Sequence, residues 1–368
     1  MKTFIFNGTP ENSFMEWLSN GIKVAFSNEG YRFKEAPEDN LNLVFNFTNK
    51  EDPRSFRRKS QGTFVVSVIE ANEHPENIHK EAYPYIIRSL SNHLMYVVHT
   101  EDDTVVHFIT LEQGHYQINY KEVERDEEFF KQIYNRLEPL ASSTLIINND
   151  FYEDLPEELW DGDDITQSLS ESGKKLDSLN LLPAPFPLEE VLSGRDLRML
   201  KKLFGIGGIS YGNLSARADG NNFWMSASGI DKSDMKDVGR DFLYITDYDE
   251  EKRAMKVSVP PHVTPRRASV DAIEHWKIYT AHPDVGAIVH IHAWMDGIEA
   301  TEFNYPCGTI ELADAVSDII NRADDPSRAV VGLKNHGLTI TGHSLEDIFE
   351  RIEGKNNSPS SYVLKIII

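Results

Sequence analysis

The clearest signal of fold in this chain is the stretch AIVHIHAW, from Ala287 to Trp294. Its apolar run predicts a buried β-strand, because a strand covered on both faces is apolar at successive positions. Alternate residues of a strand point to the same face. His290 and His292 therefore present two imidazoles side by side, which is a common start for a Zn²⁺ site. The alternative is a polar strand face on which each histidine finds a hydrogen-bond partner.

A third histidine follows another strand pattern downstream. Residues 330–333 are apolar, and Asn335-His336-Gly337 then has the composition of a turn. Side chains at strand ends often serve function, because a rigid scaffold holds them. Only the fold could bring His336 to His292, so a turn histidine without a functional role is the alternative. His343 is interpreted as loop or helix-cap context.

A carboxylate lies upstream, at the start of a predicted helix. Ser269 is typical of a helix N-cap, and Asp271, His275 and Ile278 fall on one stripe of the helix that follows. An acid in the first helical turn is favoured by the helix dipole alone. The functional interpretation is a carboxylate beside the metal, acting as an extra ligand or as a general base.

Two glycine-bearing turns could bind an anion. One contains Gly212-Asn213 and the other Ser228-Gly229. Backbone amides exposed at such turns, together with Ser and Asn side chains, can hold a phosphate group. The same residue types are ordinary in turns, so neither motif is specific by itself.

Taken in order and spacing, these motifs resemble the class II aldolase/adducin family. The matching segments are Gly212–Arg217, Ser226–Ile230, Asp271, His290–His292, Gly308–Leu312 and Asn335–Leu338. The resemblance covers about residues 188–354. It implies an α/β fold, with a three-layer α/β/α domain built around a central sheet.

The resemblance also implies a function and a set of site residues. The implied metal is Zn²⁺, or another divalent ion such as Mn²⁺ or Co²⁺, held by His290, His292 and His336. Asp271 is the implied catalytic carboxylate, and the implied phosphate-binding residues are Asn213, Ser228, Gly229 and Ser269. The implied reaction is aldolase-type carbon–carbon cleavage of a small sugar or sugar phosphate through a metal-stabilised enediolate. Epimerase or dehydratase chemistry would use the same groups, and family enzymes are commonly homo-oligomers.

Departures from the family pattern favour a second hypothesis, a catalytically inactive adducin-like binding module. Asp271 stands where the family enzymes have glutamate, and its side chain is one methylene shorter. Val270 stands where the family's phosphate site often has a second serine. The three histidines oppose this hypothesis, because an inactive relative would be free to lose them. A metal-binding sensor that reports through its N-terminal domain is a third hypothesis.

Composition and charge limit the functional classes and the cellular location that the chain can have. The 368 residues carry a formal net charge of −22, which argues against a general nucleic-acid or anionic-membrane binder. No secretory signal pattern and no transmembrane run is found, and one cysteine permits no intrachain disulfide, so a cytoplasmic location is expected. That cysteine, Cys307, is interpreted as a small packed residue, because no partner that would activate its thiolate is identifiable.

Two domains are predicted. Residues 1–150 form a mixed α+β N-terminal domain of unknown role, in which Leu41–Phe47 alternates like a half-buried strand. Residues 151–187 are predicted to be a linker, acidic and then proline-rich. Residues 188–354 are the aldolase/adducin-like domain, which opens with a single helix, and residues 355–368 are an atypical tail.

Overall fold

The computed structural model describes residues 2–39, 41–60, 62–111, 116–123, 125–146, 148–182, 188–204, 211–295 and 297–353. The chain forms two compact units, residues 1–143 with 187–200 and residues 144–186 with 201–368. The fold class is mixed α/β, as predicted. The predicted tail, residues 355–368, lies outside the described residues.

Helices and strands alternate along much of the chain. The first part contains β1 (Thr3–Asn7), α1 (Ser13–Asn28), β2 (Arg32–Lys34), β3 (Leu43–Phe47), β4 (Phe64–Ala71), α2 (Ile78–Ser89), β5 (His93–His99), β6 (Thr104–Ile109), β7 (Tyr116–Asn119), α3 (Tyr120–Val123) and α4 (Asp126–Ser142). The rest of the chain contains β8 (Asn148–Tyr152), α5 (Asp164–Ser178), α6 (Leu188–Val191), α7 (Gly194–Phe204), β9 (Asn213–Arg217), β10 (Phe223–Ser226), β11 (Phe242–Asp249), β12 (Ala254–Ser258), α8 (Ala272–Ala281), β13 (Ala287–Ile291), α9 (Ile310–Arg322), β14 (Val330–Leu333), β15 (Gly337–Gly342) and α10 (Leu345–Ile352).

The predicted linker differs from what the structure shows. It contains the helix α5, whose N-cap Asp163 accepts a hydrogen bond from the Thr166 N–H at 2.9 Å in a capping box. Leu169 and Leu176 of this helix are buried in the core of the second unit. An acidic run therefore begins a packed helix, because one of its carboxylates serves as a cap.

The segment predicted to open the second domain also differs. It forms two helices, α6 and α7, instead of one, and residues 188–200 group with the first unit. There the buried Asp196 carboxylate accepts hydrogen bonds from the Arg88 guanidinium at 2.7 and 3.0 Å. Removing either partner would leave a costly buried or unpaired charge, so this ion pair fixes the segment within its unit.

The sheet of the first unit is largely parallel, with strand order β2-β1-β3-β4-β5-β6-β7. β1 to β5 pair in parallel, and β6 and β7 extend the sheet in antiparallel fashion. β3 was predicted to be half-buried, but all five of its residues are buried. A central strand of a parallel sheet is covered on both faces, which overrides the alternating pattern.

The second sheet has the order β14-β15-β13-β9-β10-β11-β12-β8 and is antiparallel except where β12 pairs with β8. Its two faces carry different helices. Phe223 packs on Tyr279 of α8 with ring centroids 4.8 Å apart, whereas the next residue, Trp224, donates to Asp163 at the start of α5. Since successive strand residues face opposite ways, the sheet lies between two helical layers. Among the described residues, no helix has the length and apolar character needed to span a bilayer.

Candidate metal centre

Three neighbouring strands of the second sheet bring polar side chains to one face. His290 of β13 lies directly opposite Asn213 of β9 and Thr339 of β15. Residues directly opposite each other on adjacent strands share a face of the sheet. This is the face that α8 covers. Asn213 bonds to Asp271 at the start of that helix, and Thr339 bonds to Glu274 within it.

Two glycines let the backbone close around these histidines. A Cβ atom at Gly212 would lie 2.3 Å from the His290 carbonyl oxygen, and one at Gly337 would lie 2.2 Å from the Ile291 carbonyl oxygen. Gly212 also has φ of +69°, which side-chain-bearing residues rarely adopt. Glycine at both positions therefore permits the close approach of β9 and β15 to β13.

The structure brings His290, His292 and His336 together. Their nearest ring nitrogens all lie within 4.8 Å of one another. Ring centroids are 4.5 Å apart for His290 and His336 and 5.1 Å apart for the other two pairs. His336 reaches this position from the β14–β15 turn, where Asn335 takes a left-handed conformation with φ of +56°. Three imidazoles at this separation are within reach of one divalent ion.

The protonation of His290 and His292 suits metal binding. The His290 Nδ1–H donates to the Leu338 carbonyl at 3.0 Å, so its Nε2 carries the lone pair. This Nε2 and the Nδ1 of His292 are buried and have no hydrogen-bond partner among the described residues. Burial lowers the pKa of both histidines, which favours the neutral, ligating form. A buried acceptor without a partner is costly, and a bound cation would satisfy His290 Nε2. The residues therefore fit a Zn²⁺-type ion.

Asp271 lies beside the histidines. Its Oδ2 atom accepts a hydrogen bond from the Asn213 side-chain amide at 2.8 Å and lies 4.0 Å from His290 Nε2. Burial opposes ionisation of this carboxyl, but the charges of nearby histidines and the Asn213 bond hold its pKa below the usual value. An ionised carboxylate next to the lone pair of His290 adds negative charge where a cation would bind.

The predicted N-cap at Ser269 is wrong. α8 begins at Ala272, Asp271 occupies the N-cap position, and its side chain makes no capping hydrogen bond. The Ser269 hydroxyl accepts from the Asn213 amide at 3.0 Å and from the Asp271 backbone N–H at 3.4 Å. Helix capping therefore does not account for the orientation of Asp271, whose carboxylate points toward Asn213 and His290.

Further polar residues of α8 lie behind Asp271. The Thr339 hydroxyl donates to Glu274 at 2.5 Å, and His275 Nδ1 is 2.7 Å from the Ser215 hydroxyl. Burial, with the charge of Asp271, raises the pKa of Glu274 to about 8. Burial lowers the pKa of His275 to about 4. Both side chains are thus uncharged near neutrality, so Asp271 is the carboxylate that carries the charge.

Lys232, a buried lysine in this region, was not predicted from the sequence to belong to the site. Its side chain is 2% exposed, and burial lowers its pKa to about 8 against the opposing charges of Asp231 and Asp271. Its own charge contributes to lowering the pKa of His290 and His292. In the sequence Lys232 sits in a polar stretch typical of an exposed turn, so no pattern distinguishes it.

The predicted phosphate-binding residues fall into two groups. Asn213 is buried and Ser269 half-buried, and they bond each other, whereas Ser228 and Gly229 lie in an exposed turn. The Ser228 N–H donates to the Arg267 carbonyl at 2.8 Å, which joins this turn to the segment that leads into α8.

A second basic residue, which sequence analysis also missed, stands at the exposed turn. The Arg266 guanidinium donates to the Gly229 carbonyl at 3.1 Å. Arg266 and Arg267 are adjacent and exposed, so the turn has cationic neighbours although the chain as a whole is strongly acidic.

Part of the second unit matches a known protein family. Residues 198–295 match the family model described as Class II Aldolase and Adducin N-terminal domain. This region is similar to the N-terminal domain of class II aldolases and adducins. The resemblance predicted from the motifs is thereby confirmed for this part of the chain. The matched region includes His290, His292 and Asp271, and His336 lies beyond its end.

Several solved structures are similar to part of the chain. An L-fuculose 1-phosphate aldolase is 19% identical, with a TM-score of 0.35, over 51% of this chain and 82% of its own. An L-fuculose-1-phosphate aldolase from Thermus thermophilus is 16% identical, with a TM-score of 0.31, over 50% and 85%. An aldolase II superfamily protein from Pseudomonas syringae is 16% identical, with a TM-score of 0.36, over 57% and 82%. No curated protein matches the chain.

Proposed function

We propose that the second unit is a metal-dependent, aldolase-like lyase that acts on a small sugar phosphate. The observation that carries this proposal is the convergence of His290, His292 and His336 beside the Asp271 carboxylate. It occurs in a domain of the class II aldolase/adducin family. A purely structural module would have no need for three clustered imidazoles, two of which have buried ring nitrogens without a hydrogen-bond partner among the described residues.

The three histidines would hold a Zn²⁺-type ion. When bound, such an ion polarises a carbonyl and stabilises the negative charge that develops on its oxygen. Asp271 would take a proton from the substrate, because an ionised carboxylate held by a hydrogen bond can act as a general base. Asn213 orients it through the 2.8 Å bond to Oδ2.

The phosphate group of the substrate would bind at the exposed turn. Ser228 would supply its hydroxyl and Gly229 its backbone amide there, and Arg266 would supply a positive charge. Ser269 extends this polar surface toward Asp271, since its hydroxyl is bonded to the same Asn213 amide. The arrangement offers phosphate contacts at one end and a proton acceptor at the other.

Turnover of phosphorylated ketoses tests this proposal. The full chain, loaded with Zn²⁺, Mn²⁺ or Co²⁺, is incubated with a panel of ketose phosphates, and release of an aldehyde is followed with a coupled reductase. We expect turnover with at least one substrate and its loss in Asp271→Asn. Conversion to an isomer or loss of water without cleavage would assign the site to the epimerase or dehydratase class. Absence of any turnover with metal bound would overturn the lyase and favour the adducin-like module.

A further inference from the structure

The first unit contains a cavity where its sheet topology changes direction. β1 lies between β2 and β3. The chain therefore passes from β1 to its neighbour on one side, β2, and then crosses to its neighbour on the other side, β3. In open α/β sheets, ligands bind outside the carboxyl ends of the strands at such a switch point. The loops after β1, β3 and β4 line a cavity of about 520 Å³ at this place. That volume is within the range of small-molecule sites.

The walls of this cavity are held together by contacts between its loops. A Cβ atom at Gly8 would lie 2.3 Å from the Phe47 carbonyl, so the loop after β1 packs directly on the end of β3. The Asn12 amide donates to Glu70 at 2.7 Å, and the Asn49 amide donates to Glu11 at 2.8 Å. Each bond joins two different segments of the lining. The cavity is therefore formed without a ligand.

The lining combines an apolar part with a charged part. Met15, Phe47 and Ala71 line the cavity and are buried. Its charged residues are four glutamates and one lysine, namely Glu11, Glu51, Glu70, Glu73 and Lys50. A lining with an apolar part and several charged groups suits a ligand that has both a carbon chain and charged groups.

The charges argue against a phosphate-bearing ligand. The Lys50 ammonium already pairs with Glu81 at 2.7 Å, so four carboxylates face the cavity with little compensation. At the start of α1, the Asn12 side chain accepts the hydrogen bond of the Met15 N–H at 2.9 Å. A phosphate group would meet repulsion from the carboxylates and would have to compete with this cap. The nucleotides commonly found at switch points are thus disfavoured here.

A bare metal ion fits poorly as well. Among the described residues, the one group of histidine, cysteine or acidic side chains whose ligand atoms converge is the histidine trio of the second unit. No three of the four glutamates that line the cavity converge in this way. Carboxylates only accept hydrogen bonds, so a ligand that spans them must carry several donors.

We propose that this cavity binds a small organic amine that has several N–H donors spread along an apolar backbone. The ammonium groups would pair with Glu11 and Glu70, and the carbon chain would contact Phe47 and Ala71. This site lies in the first unit and is independent of the lyase proposed for the second.

Isothermal titration of the full chain tests the proposal, with spermidine as the cationic probe and AMP as the anionic one. We expect saturable binding of one spermidine at low ionic strength and none of AMP. Glu11→Gln and Glu70→Gln should each weaken spermidine binding at least about threefold, and the double variant about tenfold. Glu122→Gln removes the same charge from an exposed residue of α3 outside the cavity, and should change binding less than twofold.

Three results would overturn the proposal. They are absence of saturable spermidine binding, binding of AMP in its place, and equal weakening by Glu122→Gln, which would show diffuse attraction to an acidic protein. Glu11 is exposed, so its variant keeps the test informative if Glu70→Gln fails to fold.

Discussion

The two sheets of this protein place their candidate functional groups differently. In the second unit, Asn213, His290 and Thr339 stand on central strands, and their side chains are buried under α8. In the first unit, the polar groups of the cavity lie in loops beyond the ends of β1, β3 and β4. A buried polar residue on a strand is costly unless it is paired or functional, whereas a polar loop residue is ordinary. The second site therefore stands out in the sequence and the first does not.

Among substitutions that test the site of the second unit, Asp271→Asn should have the largest effect, and that effect is on turnover. The variant keeps an oxygen that can accept the Asn213 hydrogen bond but loses the charge, so turnover should fall by roughly a hundredfold to ten-thousandfold. Metal content should change little, because the three histidines remain. Steady-state kinetics and elemental analysis of the same preparation measure both. Unchanged turnover would remove Asp271 from the proposed chemistry.

A second test concerns the backbone that brings the strands of the site together. Gly212→Ala should lower the free energy of unfolding by about 2 kcal/mol or more, because the new Cβ meets the His290 carbonyl oxygen in addition to the strain of positive φ. Gly220→Ala is the matched control, with φ of +58° and no atom within 4 Å of its Cβ, and should cost only about 1 kcal/mol. Denaturant titration compares them. Equal losses would mean that close packing at Gly212 is unimportant.

The buried carboxyl of Glu274 should make stability depend on pH. Its folded-state pKa of about 8 lies above the ordinary value, so between about pH 5 and 8 the folded chain keeps a proton that the unfolded chain releases. Stability relative to Glu274→Gln should therefore fall as pH rises through this range. Thermal unfolding of metal-free protein measures the difference, with the exposed Glu250→Gln as control. A difference that stays constant or grows with pH would contradict the assigned protonation.

The smallest effect is expected at Lys232. Its positive charge lowers the pKa of His290 and His292, and the same charge should repel a bound cation. Lys232→Met should tighten Zn²⁺ binding by roughly threefold to tenfold, about 1 kcal/mol, whereas Lys232→Arg should leave it nearly unchanged. Chelator competition gives both affinities. Unchanged or weaker binding in Lys232→Met would contradict repulsion between this charge and the ion.

Much of the second unit could be predicted because its signals are local. The apolar run around His290 predicted β13, and the order of motifs predicted the family that residues 198–295 match. The prediction that His336 lies beside His290 depended on the resemblance, since nothing in the residues alone specifies which strands are neighbours. The N-cap was predicted at Ser269 instead of Asp271, because the bond from Asn213 that holds the Ser269 hydroxyl is a tertiary contact.

Other features could not be predicted because they depend on tertiary burial. Lys232 and Glu274 are ionisable residues in polar or amphipathic stretches of sequence, and only the folded chain removes them from water. The helix α5 was hidden by the acidic residues that begin it. The order of strands around β1, which creates the cavity of the first unit, follows from pairing between distant segments.

Metal content tests the central claim most directly. Protein purified without chelator is analysed for divalent metals together with the His290→Ala/His292→Ala double variant and with His343→Gln, an exposed histidine of the same unit. We expect about one Zn²⁺-type ion per chain, lost in the double variant and retained in His343→Gln. Absence of metal from the unsubstituted protein, even after incubation with Zn²⁺, Mn²⁺ or Co²⁺, would contradict the metal centre and the lyase that depends on it.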